Sequence, residues 1–301
     1  MWGNPLMHGR FVNYEQTELG VIRRTANPQP ACPNVVWIFG GSTMVGQGAP
    51  DDMTVASYLS HELNSGSAKC ATVVNLGADA YDNNQELVLF LELLKSGKQP
   101  SMAVFYDGVN EAIVGVREPA GARAFYDETG IRTKLETRSS VLTALRDVLA
   151  KTYSVQLTRT ILQRLHLQKP PVDEVWAPRT PMQQQQIAND ILDNYEANLK
   201  MIRALARESG FPVFFFWQPI LYYGDKPLDS FESHLLLNDP DDGSYPAVYR
   251  EAERRAPGQY VFLGHLLDHV NQPLYIDPLH ISPDGNRMAA EKIAQAIREA
   301  R

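Results

Sequence analysis

A serine and a histidine near opposite ends of the sequence carry its clearest chemical signal. Ser42 follows the apolar run Val35 to Phe39 through two glycines, and His280 closes the segment Asp277-Pro278-Leu279-His280. A histidine can take the proton of a serine hydroxyl when a carboxylate holds its other ring nitrogen. Asp277 stands three residues before His280. The three residues therefore predict a nucleophile, its general base and the acid that orients the base.

Two further segments supply hydrogen-bond donors after predicted strands. Gly77 closes Asn75-Leu76-Gly77, and Asn110 closes Asp107-Gly108-Val109-Asn110. Acyl transfer places negative charge on the former carbonyl oxygen, and one preorganised donor there is worth roughly 3 to 4 kcal/mol. We expect the backbone N–H groups of Ser42 and Gly77 and the side chain of Asn110 to form such an oxyanion hole. Taken singly, a turn or a helix cap explains each residue equally well.

Four more residues at or after strand ends are candidates for substrate contact. They are Asp107, Tyr81, Trp217 and Gln218. The aromatic rings could stack on an acyl chain or a sugar, and Asp107 could hydrogen-bond behind the oxyanion asparagine. Core packing for the rings, and turn formation for Asp107, are the alternatives.

A metal site is the weaker interpretation of a second histidine pair. His265 and His269 have the i, i+4 spacing that would present two zinc ligands on one helical face. No glutamate occupies the base position of a zincin motif and no third ligand is assigned, so we predict no metal.

Five short apolar runs predict the strands that position these residues. The runs are Val35 to Phe39, Thr72 to Leu76, Met102 to Tyr106, Val213 to Trp217 and Tyr260 to Leu263. Continuous β-branched and aromatic runs are typical of parallel strands buried on both faces. Helical patterns lie between them, including one capped by Thr54 and one that starts after Ser282 with Pro283. The alternation predicts an α/β domain whose carboxyl strand ends would gather the chemistry-bearing residues.

The positions at which the strand–helix alternation begins and is interrupted predict the domain organisation. Residues 1–33 are rich in proline near their end and show no periodicity, which predicts an N-terminal arm before a domain at 34–301. A stretch at about 115–180, with a helix predicted at 141–165, interrupts the strand–helix order as an insertion. A lid or substrate wall and simple packing bulk explain it equally well.

Charge and hydropathy narrow the class of partner. The formal net charge is −7 and no Lys/Arg block is present, which argues against nucleic acid or an anionic membrane surface. No apolar run reaches the roughly 20 residues of a membrane span, and no signal-peptide pattern opens the sequence. A small or neutral molecule is the expected partner. The compartment stays open between the cytoplasm and, if an upstream signal or anchor was removed, the periplasm or the exterior; the oligomeric state stays open too.

Only two cysteines are present, Cys32 and Cys70, each just before a predicted strand. If those strands are parallel neighbours, both thiols lie at one sheet edge, where an exported protein could join them. We favour two inert buried thiols over a disulfide.

The four segments that contain Ser42, Gly77, Asn110 and His280, taken in chain order, resemble the signatures of the SGNH (GDSL-type) hydrolase family. That family has a serine after strand one, a glycine after strand two, an asparagine in Gly-x-Asn after strand three and a histidine in a C-terminal Asp-x-x-His. Here these are Ser42, Gly77, Asn110 and His280. The first block reads Gly-Gly-Ser instead of Gly-Asp-Ser, and Glu111 stands where Gly-x-Asn-Asp is common.

The resemblance covers residues 34 to 301 approximately and implies a fold and an activity. The fold is a three-layer α/β/α, flavodoxin-like domain with a five-stranded parallel sheet, and no metal or cofactor is needed. The activity is that of a serine esterase acting on short-chain acyl esters, with O-acetyl groups on carbohydrate as candidate substrates. An O-acyltransferase acting on a polysaccharide, and a non-catalytic carbohydrate-binding protein with the same fold, stay open as alternatives.

Overall fold

A computed structural model describes residues 4–29, 31–65, 70–118, 121–124, 128–131, 178–238 and 241–300. The chain divides into two compact units: Met1–Tyr126 with Pro181–Arg301, and Asp127–Thr180. Within the second unit, residues 128–131 form one helical turn and residues 178–180 are irregular. Most of the insertion predicted at about 115–180, including its helix at 141–165, falls outside the described residues and stays a prediction. All elements below belong to the first unit.

The core of the first unit is an eight-stranded mixed sheet. Its strands are β1 (Met7–His8), β2 (Asn13–Thr17), β3 (Gly20–Arg23), β4 (Val35–Gly40), β5 (Thr72–Asn75), β6 (Met102–Asp107), β7 (Val213–Trp217) and β8 (Val261–Phe262). Their spatial order is β1-β2-β3-β5-β4-β6-β7-β8. Strands β5, β4, β6, β7 and β8 run parallel, and β1 to β3 add to the β5 edge in antiparallel fashion.

The predicted α/β architecture is present, but the predicted five-stranded parallel sheet is not the whole sheet. The five apolar runs form its parallel part, while the segment predicted as an arm contributes three further strands. These strands carry mostly polar, partly exposed side chains, for example in Asn13–Thr17. They pair through backbone hydrogen bonds and bury little apolar surface, so their sequence shows no apolar run.

The order of the parallel strands places the loop after β4 beside the loop after β6. The chain moves from β4 outward to β5, and then returns to the other side of β4 with β6. At such a switch point the loops that follow the two central strands diverge and leave a crevice at the carboxyl edge of the sheet. The residues after β4 and after β6 include Ser42 and Asn110.

Helices cover both faces of the sheet. They are α1 (Ser42–Val45), α2 (Val55–Asn64), α3 (Asn83–Lys95), α4 (Val109–Arg117), α5 (Pro181–Ser209), α6 (Ser230–Asn238), α7 (Ser244–Arg255) and α8 (Pro283–Glu299). Alternate residues of β4 point to opposite layers: Trp37 and Phe39 pack with residues of α3, α4, α5 and α7, while Val36 and Ile38 pack with residues of α2 and α8. This is a three-layer α/β/α arrangement.

Two helices begin where their capping residues predict. The Thr54 side chain accepts a hydrogen bond from the Ser57 N–H at the start of α2, and Ser282 caps α8 ahead of Pro283. On the α3 side of the sheet, Phe39 and Phe105 stack with ring centroids 4.6 Å apart, and the Phe90 ring packs edge-on against both. These buried rings hold the first and third parallel strands at a fixed spacing.

A buried arginine ties the N-terminal strands to the segment after β4. Arg23, at the end of β3, forms an ion pair with Asp51 at 2.8 Å and donates to the carbonyl groups of Val45 and Ala49. Asp51 also accepts from the backbone and side chain of Asn13. The N-terminal strands therefore help to fix the end of α1, the helix that begins at the candidate nucleophile.

The interpretation of Cys32 and Cys70 as two thiols is wrong, because the two residues form a disulfide. Register explains the pairing. Val35 of β4 lies beside Thr72 of β5, so the residues just before these strands meet at the amino edge of the sheet, with Cα atoms 5.8 Å apart. The bond closes a loop with a sequence separation of 38 residues.

We predict that the double substitution Cys32→Ser, Cys70→Ser lowers the free energy of unfolding by about 2 to 4 kcal/mol, because the unfolded chain regains the entropy of an open loop. Urea denaturation would measure the change. A reducing agent should shift the wild-type midpoint by a similar amount and leave the double variant unchanged. An unchanged wild type under full reduction would show that the bond contributes nothing to stability.

Candidate active site

The structure brings the three residues predicted as nucleophile, base and orienting carboxylate into one hydrogen-bonded chain. His280 Nε2 lies 2.7 Å from Ser42 Oγ, and His280 Nδ1 lies 2.8 Å from Asp277 Oδ2. The two nitrogens of one ring thus contact the hydroxyl and the carboxylate at once. With the Nδ1 proton facing Asp277, Nε2 is left as the acceptor for the serine proton.

Asp277 is fixed by its own loop as well as by the imidazole. Its Oδ1 atom accepts from the backbone N–H groups of Leu279 and His280, both at 2.8 Å. Partial burial opposes ionisation, but the hydrogen bonds from the His280 ring and from these amides outweigh it and lower the pKa of Asp277. The carboxylate therefore stays charged at neutral pH, which suits a group that stabilises an imidazolium.

Ser42 is the first residue of α1 and is separated from the end of β4 by Gly41 alone. As the first residue of a helix, its N–H has no acceptor within that helix. A Cβ atom on the preceding residue, Gly41, would lie 2.0 Å from Asn110 Nδ2. Any side chain at position 41 would therefore push the Asn110 amide away from the backbone that precedes the serine. The glycine is needed for this close approach.

Asn110 is held through one of its two amide hydrogens. Nδ2 donates to the carbonyl oxygen of Tyr81 at 2.6 Å, and the side chain is largely buried. An amide nitrogen carries two hydrogens, so one remains for a second acceptor. Tyr81, a candidate for substrate contact from the sequence, instead contributes its backbone oxygen to the placement of Asn110.

Gly77 lies against α1, but its N–H already has an acceptor. A Cβ atom there would come within 2.8 Å of the Val45 nitrogen, so only glycine allows this approach. Its N–H donates to Asn75 Oδ1 at 3.0 Å, and Asn75 Nδ2 donates to the Met44 carbonyl. The sequence predicts this N–H as one donor of the oxyanion hole. Sequence patterns did not indicate its acceptor on Asn75, two residues earlier in the chain.

The remaining candidates for substrate contact are buried. Trp217 packs under Gly108, whose positive φ of 120° and contact with the indole both require glycine. Gln218 is 2% exposed and donates its backbone N–H to the carbonyl of Asp107. Asp107 itself is 2% exposed. Burial favours packing and positioning over direct substrate contact for these residues.

A layer of buried carboxyl groups behind Asn110 was not predicted as a unit. It comprises Asp82, Glu86, Asp107 and Glu111. Glu111 accepts from the backbone N–H groups of Asn83 and Gly108, and Asp107 Oδ2 accepts from the Asn83 side chain and from the Tyr195 hydroxyl. The layer thus fixes the loop that presents Asn110. The sequence does contain a signal of this layer, the polar segment Asp82-Asn83-Asn84-Gln85-Glu86 at the start of α3. The leucines that follow this segment indicate an ordinary amphipathic helix instead.

Burial sets the protonation state of this layer. Burial and, to a smaller extent, the neighbouring Glu111 carboxylate together raise the pKa of Asp82 to about 7. Burial also raises the pKa of Glu86 and of Asp107, and a hydrogen bond joins the two side chains. Two carboxyl groups can share such a bond only when one of them carries a proton. We therefore treat Glu86 as the protonated donor.

The second histidine pair does not form the zinc-binding helix that its spacing could suggest. Residues 264–269 are in turns, and His265 contacts Asp268 and Glu253 at the surface. In the described part of the chain, no three His, Cys, Asp or Glu side chains are grouped to hold a metal ion. No helix in that part is long and apolar enough to cross a bilayer.

Comparison with known proteins gives likenesses of shape only. No family model matches the sequence, and no curated protein does. A solved acetyl xylan esterase is 14% identical with a TM-score of 0.47, over 87% of this chain and 99% of its own. A catalytic mutant of an acetylxylan esterase from Geobacillus stearothermophilus is 13% identical, with a TM-score of 0.46 over 88% and 94%. A G-D-S-L family lipolytic protein from Veillonella parvula is 11% identical, with a TM-score of 0.43 over 88% and 98%. Such distant likenesses decide neither family nor function.

We predict that Glu86→Gln gains stability relative to the wild type as the pH rises from about 5 to about 8. A carboxyl group with a raised folded-state pKa binds more protons when folded, so its contribution to stability falls as the pH rises above the unfolded value. Glutamine keeps a hydrogen-bond donor for Asp107 and has no proton to lose. Urea unfolding across this pH range would measure the difference.

Glu92→Gln, on the exposed side of the same helix, is the matched control and should follow the wild type at every pH. A Glu86→Gln variant whose stability runs parallel to that of the wild type would show that Glu86 does not hold a proton in the folded protein.

Proposed function

We propose that this protein is a serine esterase of the SGNH hydrolase family, with Ser42 as nucleophile, His280 as general base and Asp277 as the acid that orients it. The hydrogen-bonded chain from Ser42 Oγ through His280 to Asp277 is the observation that carries the proposal. The order of the four sequence blocks supports it independently, because each block follows a different strand of the parallel sheet.

The first half-reaction forms an acyl-enzyme. His280 Nε2 takes the Ser42 proton as Oγ attacks the carbonyl carbon of the ester, and the carbonyl oxygen becomes an oxyanion. The tetrahedral intermediate collapses when the C–O bond to the alcohol breaks and His280 returns the proton to the leaving oxygen. Asp277 stabilises the imidazolium through this step without taking the proton itself.

The second half-reaction releases the acid. Water enters the site, His280 takes its proton, and the resulting hydroxide equivalent attacks the acyl carbon. Breakage of the acyl–Oγ bond returns the proton to Ser42. Transfer of the acyl group to a sugar would pass through the same acyl-enzyme, with a sugar hydroxyl in place of water. We propose hydrolysis.

Three donors are proposed for the oxyanion. The Ser42 N–H lies at the start of α1, and Asn110 has one amide hydrogen beyond its bond to Tyr81. The Gly77 N–H is the third, and it would have to be shared between Asn75 and the oxyanion. Donors fixed before the reaction cost no reorganisation when the charge develops.

Short-chain acyl esters are the proposed substrate class, with O-acetyl groups on carbohydrate as the natural form. Support comes from the segments Gly-Gly-Ser-Thr and Asp-Gly-x-Asn, which resemble the bacterial branch associated with polysaccharide modification. This choice of substrate rests on sequence analogy, because enzymes that share one fold and one triad act on many different esters.

Ser42→Ala should lower kcat for p-nitrophenyl acetate by at least about 10³-fold, as for loss of a nucleophile in other serine hydrolases. Ser96→Ala, an exposed serine after α3, is the control and should match the wild type. A fluorophosphonate probe should label the wild type and the control but not Ser42→Ala. Equal turnover in all three proteins would refute the assignment, and an unlabelled, inactive wild type would favour the binding-protein alternative.

Asn110→Ala should lower kcat by about 10²- to 10³-fold with little change in KM, because the lost donor acts on charge that develops only in the transition state. Asn198→Ala, which removes another buried amide donor, serves as the control and should keep its kcat. A rise in KM at constant kcat would place Asn110 in ground-state binding instead.

A further inference from the structure

The segment that carries Asp277 and His280 is a closed loop, and we call residues 274–282 the triad loop. A β-bridge joins Tyr275 and Ile281, and the Ser282 N–H donates to the Leu274 carbonyl at its base. The contacts of Asp277 with the His280 ring and amide lie at the tip. Internal hydrogen bonds therefore fix the shape of the triad loop, but they do not fix its position relative to Ser42.

A buried glutamate outside the loop provides that external contact. Glu232, in α6, is 0% exposed. Its Oε1 atom accepts from the backbone N–H groups of Leu274 and Tyr275, at 2.8 and 3.0 Å. Two consecutive amides at the base of the triad loop are thus held by one carboxylate oxygen. Bonds from N–H groups to a charged acceptor are roughly twice as strong as neutral ones.

A lysine keeps the glutamate charged. Lys226 Nζ lies 2.6 Å from Glu232 Oε2, and the lysine side chain is 5% exposed. Burial by itself raises the pKa of Glu232, but the bonds from Lys226 and the two amides outweigh it and lower that pKa below its ordinary value. Both oxygens of the carboxylate are therefore occupied, one by the lysine and one by the triad loop.

Fold stability alone is a poor explanation for this arrangement. Buried ion pairs are often no more stabilising than apolar residues of the same size, because both charges must leave water. The pair here has a specific geometric consequence: it sets where Leu274 and Tyr275 lie, two to three residues before Asp277. The Leu221 N–H adds a second external bond, to the Pro278 carbonyl.

We infer that Glu232, held by Lys226, is a positioning residue that places the Asp277–His280 pair against Ser42. The inference rests on the proposed serine esterase function. Glu232 acts through the triad loop and does not touch the reacting atoms. Its loss should therefore displace the imidazole while the acyl and oxyanion sites stay intact.

Glu232→Gln tests the inference. Its neutral amide keeps the shape of the side chain but gives the two loop amides a weaker acceptor and leaves Lys226 without a counter-charge. With p-nitrophenyl acetate we expect kcat to fall on the order of 10- to 100-fold, the cost of misplacing a catalytic group by about 1 Å, with KM nearly unchanged. Fluorophosphonate labelling should slow by a similar factor.

Glu251→Gln is the matched control. Glu251 is also buried and paired with arginines, but it lies in α7 and contacts no residue of the triad loop. Both variants should lose stability in urea, and only Glu232→Gln should lose turnover per folded molecule. Equal kcat values for the two folded variants would overturn the inference. If Glu232→Gln does not fold, Lys226→Met provides the same comparison, with a smaller fall in kcat expected.

A double-mutant cycle separates positioning from general destabilisation. In a His280→Ala background, Glu232→Gln should cause no further loss, because the group it positions is absent. An additional 10-fold loss in that background would show that Glu232 acts elsewhere. Ser42→Ala separates failure of the proposed function from failure of the inference. If Ser42→Ala stays active, the proposed function fails. If it is inactive while Glu232→Gln behaves like Glu251→Gln, only the positioning role of Glu232 fails.

Discussion

The contact between Ser42 Oγ and His280 Nε2 is the constraint on which the candidate site depends, and it joins residues 238 positions apart in the chain. Each partner is fixed by different means. Ser42 is the first residue of a short helix and directly follows two glycines, Gly40 at the end of β4 and Gly41. His280 lies at the tip of a closed loop just before the last helix. A shift of about 1 Å between such groups can cost on the order of 10²-fold in rate, so the fold must hold two remote segments in register.

Polar groups buried beside the site maintain that register. Behind Asn110, Glu111 accepts the backbone N–H groups of Gly108, after β6, and of Asn83, at the start of α3, while burial raises the pKa of the neighbouring Glu86 and Asp107. Beneath the triad loop, Glu232 accepts two further amides. These groups are costly to bury and give little net stability, but their directional bonds fix loops more narrowly than apolar packing does.

The edges of the sheet add constraints that act at a distance from the crevice. Arg23 connects the N-terminal strands to carbonyl groups at and beyond the end of α1, and so supports the helix that starts with the nucleophile. The disulfide joins the residues just before β4 and β5, at the amino ends of these parallel strands. One contact limits movement at the carboxyl end of the central strand, and the other limits movement at its amino end.

The sequence by itself determined the five parallel strands, the helices capped by Thr54 and Ser282, and the chain positions of the triad and oxyanion candidates. Continuous apolar runs and capping residues are local patterns, and strand ends converge by a general rule of parallel sheets. Only the tertiary structure decided the three N-terminal strands, the disulfide, the acceptor of the Gly77 N–H and the partners of Glu86 and Glu232. Those features depend on hydrogen bonds or covalent bonds set by the exact geometry of the folded chain, and a polar side chain looks the same in sequence whether it faces water or a buried partner.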